Sequence, residues 1–169
     1  WRTEKQLTED DRWKGYATPP VGNANYAWIL HMLSHLSYDG TAAFLLANGA
    51  LNAGVEGEAE YEIRKKLIQD NKVEAIIVLP RDMFYATDIS VTLWLCGNHK
   101  KAKKVRRNGT EVMLRNRENE ILFIDARNIF TQIDRAHRKF SDEQIRNLGI
   151  ITRLYEGKTE DFEALLADY

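Results

Sequence analysis

The sequence predicts an α/β fold built on a mixed β-sheet. Two apolar runs, residues 41–47 (TAAFLLA) and 73–79 (VEAIIVL), flank an amphipathic segment at 58–70, which is the strand–helix–strand pattern of a parallel crossover unit. A third apolar run at 91–96 (VTLWLC) follows after only about ten residues, which is too few for another helical crossover. We therefore expect this run to pair as an antiparallel hairpin.

The segment before the sheet should contain one helix. Residues 1–22 carry charges, glycines and prolines without sustained periodicity, so they predict an irregular lead-in. From Asn25 to Leu36 the apolar residues recur at helical spacing. Asn23 or Asn25 can cap this helix, and Asp39-Gly40 should end it.

The run at 41–47 is apolar throughout after Thr41, which predicts a strand buried on both faces. Gly49, Gly54 and Gly57 follow it. Because they stand between a strand and a helix without the spacing of a phosphate-binding turn, they predict a flexible loop at the carboxyl edge of the sheet.

The end of the chain should be helical and peripheral. Residues 121–126 (ILFIDA) predict one more strand. Ser141 and Gln144 have the spacing of a capping box for a helix that runs to about Tyr155. The last residues, FEALLADY, predict a short amphipathic helix.

Composition indicates a cytoplasmic protein. The formal charge of -1 and the pI of about 6.5 argue against a chain that coats nucleic acid by bulk charge, but a local basic patch remains compatible with binding. The single cysteine, Cys96, cannot form an internal disulfide, which suits a reducing compartment or a buried inert thiol. The sequence shows no signal-peptide pattern and no run long enough to span a membrane.

Residues 98–118 predict a basic loop with Asn108-Gly109 at its turn. Within it the run KKAKKVRR, at 100–107, contains six cations in eight residues and no acid. Such runs are most often solvated hairpin tips, but they can also neutralise DNA phosphates. The candidate DNA-binding residues are Lys100, Lys101, Lys103, Lys104, Arg106 and Arg107.

The segment LPRDMFYATDIS, at 79–90, joins the two arms of the predicted hairpin and carries Phe84 and Tyr85 at its centre. An aromatic pair in such a loop can plug the end of the sheet. It can also offer a flat π-surface to a base that has been taken out of its stack. The residues alone leave both interpretations open.

Other candidate sites are weaker. His31 and His35 have the spacing of a helical zinc motif, but Met32 stands where that motif needs a glutamate and no third ligand is evident. No G-x-G-x-x-G or Walker loop is present, so the sequence does not encode a cradle for a nucleotide or a methyl donor.

Several stretches in order resemble a known family. These are the helix start NANYAW, the helix motif I-R-K-x-L and the loop motif L-P-x-x-x-F-Y-x-T-x-I, within residues 13–96. Together they resemble the second half of the catalytic domain of the modification subunit of type I restriction-modification systems. That family transfers a methyl group from S-adenosylmethionine to the exocyclic amine of adenine in DNA. The chain departs from it at Ala47, where relatives usually have proline.

The resemblance implies a partial Rossmann-like methyltransferase sheet. Residues 1–126 would be the downstream part of the catalytic domain, and residues 127–169 a helical tail that can dock another subunit. Phe84, Tyr85 and Thr87 would form the wall of the base pocket, with Asn48 and Gly49 in the neighbouring loop. The implied partners are DNA, a specificity subunit that reads its sequence and a restriction subunit that cuts it.

The resemblance also bears on the Thr18-Pro19-Pro20-Val21 stretch, which is similar to the catalytic Asn-Pro-Pro-Phe turn of adenine methyltransferases. Thr18 cannot present an amide oxygen to the adenine amine, and Val21 offers no π-face. The resemblance places the true turn upstream of Trp1, and the glycine loop that binds S-adenosylmethionine further upstream still. We therefore expect no catalytic residue and no methyl-donor binding within this chain.

Loss of the upstream neighbour should expose an apolar edge at strand 41–47, so we expect this fragment to self-associate. One alternative function is a non-catalytic assembly module whose terminal helices dock the specificity subunit. Another is an unrelated small α/β binding protein.

Overall fold

The computed structural model describes residues 1–107 and 109–168, and of Arg107 only the backbone. The α-helices are α1 Asn25–Ser34, α2 Ala59–Gln69, α3 Asp142–Tyr155 and α4 Glu160–Asp168. The strands are β1 Thr41–Ala47, β2 Val73–Val78, β3 Val91–Gly97, β4 Lys103–Arg107, β5 Thr110–Leu114, β6 Leu122–Asp125, β7 Thr131–Gln132 and β8 Arg138–Lys139. Short 3-10 helices occupy Asp11–Trp13 and Asn48–Leu51.

The central sheet has four strands in the order β1-β3-β2-β6. β3 is antiparallel to both β1 and β2, whereas β2 and β6 are parallel. The mixed sheet is therefore confirmed. β1 and β2 point the same way, as expected, but they are not neighbours, because β3 returns from β2 and inserts between them.

One face of the sheet packs against α1 and α2. Tyr26 and Ile29 of α1 and Ile63 of α2 are fully buried against Trp94 of β3. Burial of each large apolar side chain contributes about 1.5 to 3 kcal/mol. Trp13, in the lead-in that the sequence predicts as irregular, is also part of this core.

β1 is not buried on both faces, and this expectation is wrong. Its residues alternate between exposed and partly buried, so Phe44 and Leu46 pack against the α1 and α2 core while Leu45 on the other face is 44% exposed. The alternation is invisible in the sequence because both faces carry apolar residues. Among the described residues, β1 is an edge strand whose partner in the sheet is β3.

The second face is covered in part by α3. Leu148 of α3 and Phe140 just before it pack against Ile77 of β2 and Ile124 of β6. The predicted capping box of α3 is present, since the Ser141 hydroxyl accepts from the Gln144 backbone N–H and the Gln144 side chain accepts from the Ser141 N–H. α4 also forms as expected.

The tail is not helical throughout, because residues 131–139 contain the small antiparallel hairpin β7–β8. The basic segment is also a hairpin, formed by β4 and β5. Its turn includes Gly109, and Asn108 of the predicted Asn108-Gly109 turn lies outside the described residues. Within the described chain, no helix combines the length and the apolar character needed to cross a membrane.

Candidate functional site

Two loops meet at one edge of the sheet, where β1 and β2 end and β3 begins. The last residue of β1, Ala47, is paired with Val91, the first residue of β3. The Leu79 N–H, just after β2, donates to the Val91 carbonyl at 2.9 Å. The Asn48 N–H donates to the Ser90 carbonyl at 3.2 Å. We call this end of the sheet, where β1 and β2 reach their carboxyl ends, the carboxyl edge. It carries Asn48-Gly49 and also the bend at residues 84–87 in the loop between β2 and β3.

The bend is a tight turn in which the Thr87 N–H donates to the Phe84 carbonyl at 3.2 Å. Arg81 and Asp88 form an ion pair at 2.9 Å across the base of the loop. The two aromatic side chains differ in exposure: Phe84 is partly buried, whereas Tyr85 is 84% exposed. An exposed aromatic ring of this kind can stack with a planar ligand.

An open pocket of about 390 Å³ lies at the bend. Its lining residues are Asp82, Phe84, Tyr85, Ala86, Thr87, Asp88, Ala136 and His137. The last two belong to the turn between β7 and β8, which lies far along the chain from the bend. The rings of Tyr85 and His137 are 4.6 Å apart between centroids and are tilted by 42°.

Sequence reasoning missed His137 because β7 and β8 have only two residues each and carry no periodic pattern. The Asp134-x-x-His137 spacing was the available signal. The Asp134 carboxylate accepts hydrogen bonds from the Ala136 N–H and from the His137 side chain, and these lower the pKa of Asp134.

The loop after β1 is fixed by hydrogen bonds, which departs from the flexible loop that its glycines predict. The Tyr26 hydroxyl donates to the Ala50 carbonyl at 2.6 Å. The Arg64 guanidinium of α2 donates to the Ala53 carbonyl at 2.6 Å and to the Tyr26 hydroxyl at 3.0 Å. Burial raises the pKa of Tyr26, against the opposing effect of Arg64.

The loop after β1 is packed from the inside by a side chain of α2. Arg64 fills the inner side of the loop after β1, and Ala50 is fully buried beneath it. Gly49 has open space where a Cβ would lie, so no close backbone approach requires a glycine there.

The basic hairpin lies at the other end of the sheet. β3 begins at Val91, next to the bend, and ends at Gly97, roughly 20 Å further along the strand. Residues 100–107 follow that far end. The structure therefore does not bring the basic run together with Phe84 and Tyr85.

Acids from other segments pair with much of the basic run. The ion pairs are Lys103 with Asp39 at 2.9 Å, Lys104 with Glu111 at 2.7 Å and Lys101 with Glu118 at 4.0 Å. Lys100 is buried, donates to the Glu120 carbonyl and has a pKa lowered by burial. Arg106 is exposed and donates to the Gly109 carbonyl, and the side chain of Arg107 lies outside the described residues.

A cavity of about 340 Å³ at this end of the sheet is also lined by charged side chains, several of which are paired with one another. Arg117 is buried and binds Glu74 through two contacts of 3.1 and 3.2 Å. A third guanidinium nitrogen donates to the Arg115 carbonyl at 2.7 Å. Arg117 and Glu74 therefore bind each other and are not available to a ligand in the cavity.

Thr18, Pro19 and Pro20 have structural partners. Arg2 donates to the Pro19 carbonyl, Trp1 donates to the Pro20 carbonyl, and the Thr18 hydroxyl donates to the Thr8 carbonyl. These contacts hold the lead-in together.

His31, in α1, and His35, directly after its last residue, form no metal site among the described residues. Their rings lie 4.4 Å apart, and His31 also contacts Arg12 at 3.3 Å. Over residues 1–107 and 109–168, no group of three potential metal ligands occurs.

Comparisons with known proteins agree with the resemblance seen in the sequence. The HindI methylase subunit of a type I restriction enzyme from Haemophilus influenzae is 38% identical over 95% of this chain, which spans 32% of that relative. The MjaIX methylase subunit of a type I restriction enzyme from Methanocaldococcus jannaschii is 37% identical over 88% of this chain, which spans 24% of that relative.

A solved structure shares the fold. The type I restriction-modification methyltransferase subunit from Streptococcus thermophilus has a TM-score of 0.73 and 24% identity, with 92% of this chain and 30% of that chain covered. The sequence profile of the N-6 DNA Methylase family matches residues 1–164. Because that match includes nearly the whole sequence, the chain belongs to the N-6 DNA methylase family.

Proposed function

We propose that the whole protein is a type I modification subunit that methylates the exocyclic amine of adenine in DNA. The family profile and the two methylase relatives support this function. The chain spans a third or less of those relatives, so it supplies one part of the enzyme. Its part would be one wall of the site that receives the flipped adenine, within a Rossmann-like methyltransferase sheet.

The observation that carries this proposal is the exposed ring of Tyr85 beside an open pocket at the carboxyl edge of the sheet. Open α/β sheets bind their ligands at this edge. An enzyme that modifies a base must extrude it from the duplex and hold it, commonly by stacking on aromatic rings. Tyr85 is in a position to stack, and Phe84, which is partly buried, would support the bend from below.

Thr87, Asn48 and Gly49 would contribute the polar rim of the pocket. Thr87 closes the bend, and its hydroxyl accepts from the Ile89 N–H at 3.1 Å. The Asn48 side chain is exposed at the same edge. An amide and a hydroxyl can each exchange hydrogen bonds with the edge of a base or with the sugar.

S-adenosylmethionine would supply the methyl group, bound by residues outside this chain. The proposed partners are DNA, a specificity subunit and a restriction subunit, in a cytoplasmic complex. Residues 1–126 would belong to the catalytic domain, with residues 127–169 as the docking tail. In the basic hairpin, the exposed cations Lys101, Lys104 and Arg106 remain proposed contacts for DNA away from the reacting base.

The experiment replaces Phe84 and Tyr85 with alanine, singly and together, in the full-length protein. Loss of stacking should weaken methylation of unmethylated genomic DNA by about 1 to 3 kcal/mol of transition-state stabilisation per base. Incorporation of a tritiated methyl group gives the rate, and thermal unfolding checks that the fold is intact. Tyr38→Ala is the matched control, because Tyr38 is also an exposed tyrosine, at 72%, but it lies near the opposite edge beside His99.

Normal methylation by the folded double variant would remove Phe84 and Tyr85 from the base pocket. A loss that the Tyr38 variant shares would also count against the assignment, because it would not be specific to the carboxyl edge.

A second role, as an assembly module, is favoured by the exposed apolar side chains of the tail. Ile145 and Ile151 of α3 and Leu166 of α4 are each more than 40% exposed. Apolar side chains on the outer surface of terminal helices suit a helical partner. Docking of the specificity subunit would be lost in an Ile151→Asp, Leu166→Asp variant and retained in the Phe84, Tyr85 double variant. The two roles can coexist.

A further inference from the structure

The turn between β7 and β8 lies against the bend that carries Tyr85. The His137 and Tyr85 rings are 4.6 Å apart between centroids, which is within the usual range for packed aromatic rings. Tyr85 nevertheless stays 84% exposed, so His137 covers only part of the ring and leaves the rest open. A ring supported on one side and open on the other is arranged to accept a planar partner.

His137 is itself held in place by Asp134. The imidazole Nδ1 lies 2.9 and 2.8 Å from the two carboxylate oxygens of Asp134, so this nitrogen carries the donated proton. The same carboxylate accepts from the backbone N–H groups of Ala136 and His137 at 2.8 and 2.9 Å. The carboxylate therefore fixes both the turn and the orientation of the imidazole ring.

The hairpin is also joined to the base of the bend. The Arg138 N–H donates to the Asp82 carbonyl at 2.9 Å, and the two side chains form an ion pair at 3.9 Å. The Arg138 guanidinium also lies 4.2 Å from the centre of the Phe130 ring. These contacts fix the position of the β7–β8 turn relative to the bend.

The turn carries a cation that is not neutralised. Arg135 is exposed and directly precedes Ala136, which lines the same pocket as Tyr85. In the part of the chain that the structure describes, no acid lies within ion-pairing distance of Arg135. Lys101, Lys103 and Lys104, by contrast, each have an acidic partner.

We propose that the 131–139 hairpin is part of the nucleotide-binding site, in which His137 positions Tyr85 under the extruded base and Arg135 contacts a phosphate beside that nucleotide. This inference rests on the proposed function and extends it to a segment of the tail. The occupant is one nucleotide of a DNA strand: the base stacks on Tyr85, and the phosphate meets the turn. Together the bend and the hairpin make two sides of the pocket.

The test measures binding of the full-length protein to two labelled single-stranded probes, oligodeoxyadenylate of 20 nucleotides and an abasic strand of equal length. His137→Ala should reduce the preference for adenine over the abasic strand by about fivefold, because part of the stacking free energy is lost when Tyr85 is no longer held. His137→Phe should restore most of the preference, since a ring again packs on Tyr85. If His137 acted only by holding the turn through its contact with Asp134, His137→Phe would not restore the preference, because phenylalanine cannot donate to that carboxylate.

The second part of the experiment tests the role of Arg135 through the salt dependence of DNA binding. Arg135→Ala should weaken binding to both probes equally and lower the slope of log K against log salt by about 0.7, the value for one phosphate contact on a single strand. Arg146→Ala is the matched control, because Arg146 is an exposed arginine on α3, away from the pocket. It should leave both the affinity and the slope unchanged.

The outcomes separate this inference from the proposed function. The role of the hairpin would be overturned if Tyr85→Ala lost the adenine preference and His137→Ala kept it, or if Arg135→Ala left the salt slope unchanged. Either result would still be consistent with the proposed base pocket. If wild-type protein prefers neither probe, or Tyr85→Ala changes nothing, the base pocket fails and the hairpin proposal fails with it.

Discussion

At the scale of single residues, the role of a charged side chain depends on acids that the local sequence does not show. The run at 100–107 contains no acid, yet Lys103 and Lys104 pair with Asp39 and Glu111 from other segments. Lys100 is buried altogether. Arg135 has Asp134 as its neighbour in sequence, but that carboxylate is bound to His137. Counting charges along the chain therefore misjudges which cations are available to a ligand.

The buried pair of Glu74 and Arg117 gives the clearest prediction for stability. Glu74→Ala should destabilise the chain by about 3 kcal/mol, because it leaves the buried Arg117 guanidinium without its carboxylate. Replacing both residues together, as Glu74→Leu with Arg117→Met, should recover most of that loss. Urea denaturation followed by tryptophan fluorescence gives the free energy of unfolding.

The exposed pair of Lys104 and Glu111 is the control. Both side chains are about two-thirds exposed, so Lys104→Ala should change the free energy of unfolding by less than about 1 kcal/mol. If Glu74→Ala and Lys104→Ala lowered the free energy of unfolding by the same amount, the Glu74–Arg117 pair would not be desolvated. That result would contradict the burial seen in the structure.

At the scale of elements, the sequence was most informative about features that depend on neighbouring residues. The capping box of α3 and the spacing between β2 and β3 depend on nearby residues, and both the helix and the antiparallel pairing form as predicted. The order of the strands depends on contacts between distant segments, so the insertion of β3 beside β1 could not be derived from spacing. The β7–β8 hairpin was not predicted, because strands of two residues leave no periodic signal in the sequence.

The same contrast applies to the candidate site. The carboxyl edge follows from where the predicted strands end, so the loops that carry Asn48 and Phe84 could be assigned to one edge in advance. His137 belongs to a different element, and only the fold brings it to Tyr85. The fixed loop after β1 was missed because Arg64, which binds the Ala53 carbonyl, comes from the following helix.

The loop after β1 provides a prediction at this scale. Arg64→Met keeps most of the side-chain length but removes the hydrogen bonds to the Ala53 carbonyl and the Tyr26 hydroxyl. Loss of about 1.5 to 3 kcal/mol from charged hydrogen bonds should raise amide hydrogen exchange in residues 48–57 by about 10-fold to 150-fold. Amides of β2 should keep their protection.

Lys65→Met is the matched control, because Lys65 is an exposed cation on the same helix. The role given to Arg64 would be contradicted if amide exchange in residues 48–57 were as fast in wild type as in Arg64→Met. It would also be contradicted if Arg64→Met and Lys65→Met raised that exchange equally.

At the scale of the whole molecule, the four-stranded sheet formed by the described residues ends in an unpaired strand on each side. β1 forms one edge and β6 the other, with Leu45 at 44% exposure on β1 and Phe123 at 68% on β6. Unpaired strand edges with exposed apolar side chains favour pairing with another chain. The edge position of β1 agrees with the apolar edge expected from the sequence, and self-association remains a prediction.

Sedimentation of the 169-residue chain tests it. We expect concentration-dependent dimers or larger species, and Leu45→Lys should shift the population toward monomer because it places a charge at the β1 edge. Phe123→Lys makes the same change at the β6 edge and identifies which edge associates. A wild-type chain that stays monomeric at all concentrations would contradict the prediction.

The central claim is that the carboxyl edge of the sheet, and not the basic hairpin at its other end, receives the base. Photocrosslinking tests this most directly, with a DNA strand that carries 8-azidoadenine and the full-length protein, followed by tryptic digestion and mass spectrometry. The account predicts adducts in the peptide of residues 82–100, centred on Tyr85, and lesser adducts in residues 128–138. Adducts confined to residues 101–117 would contradict it.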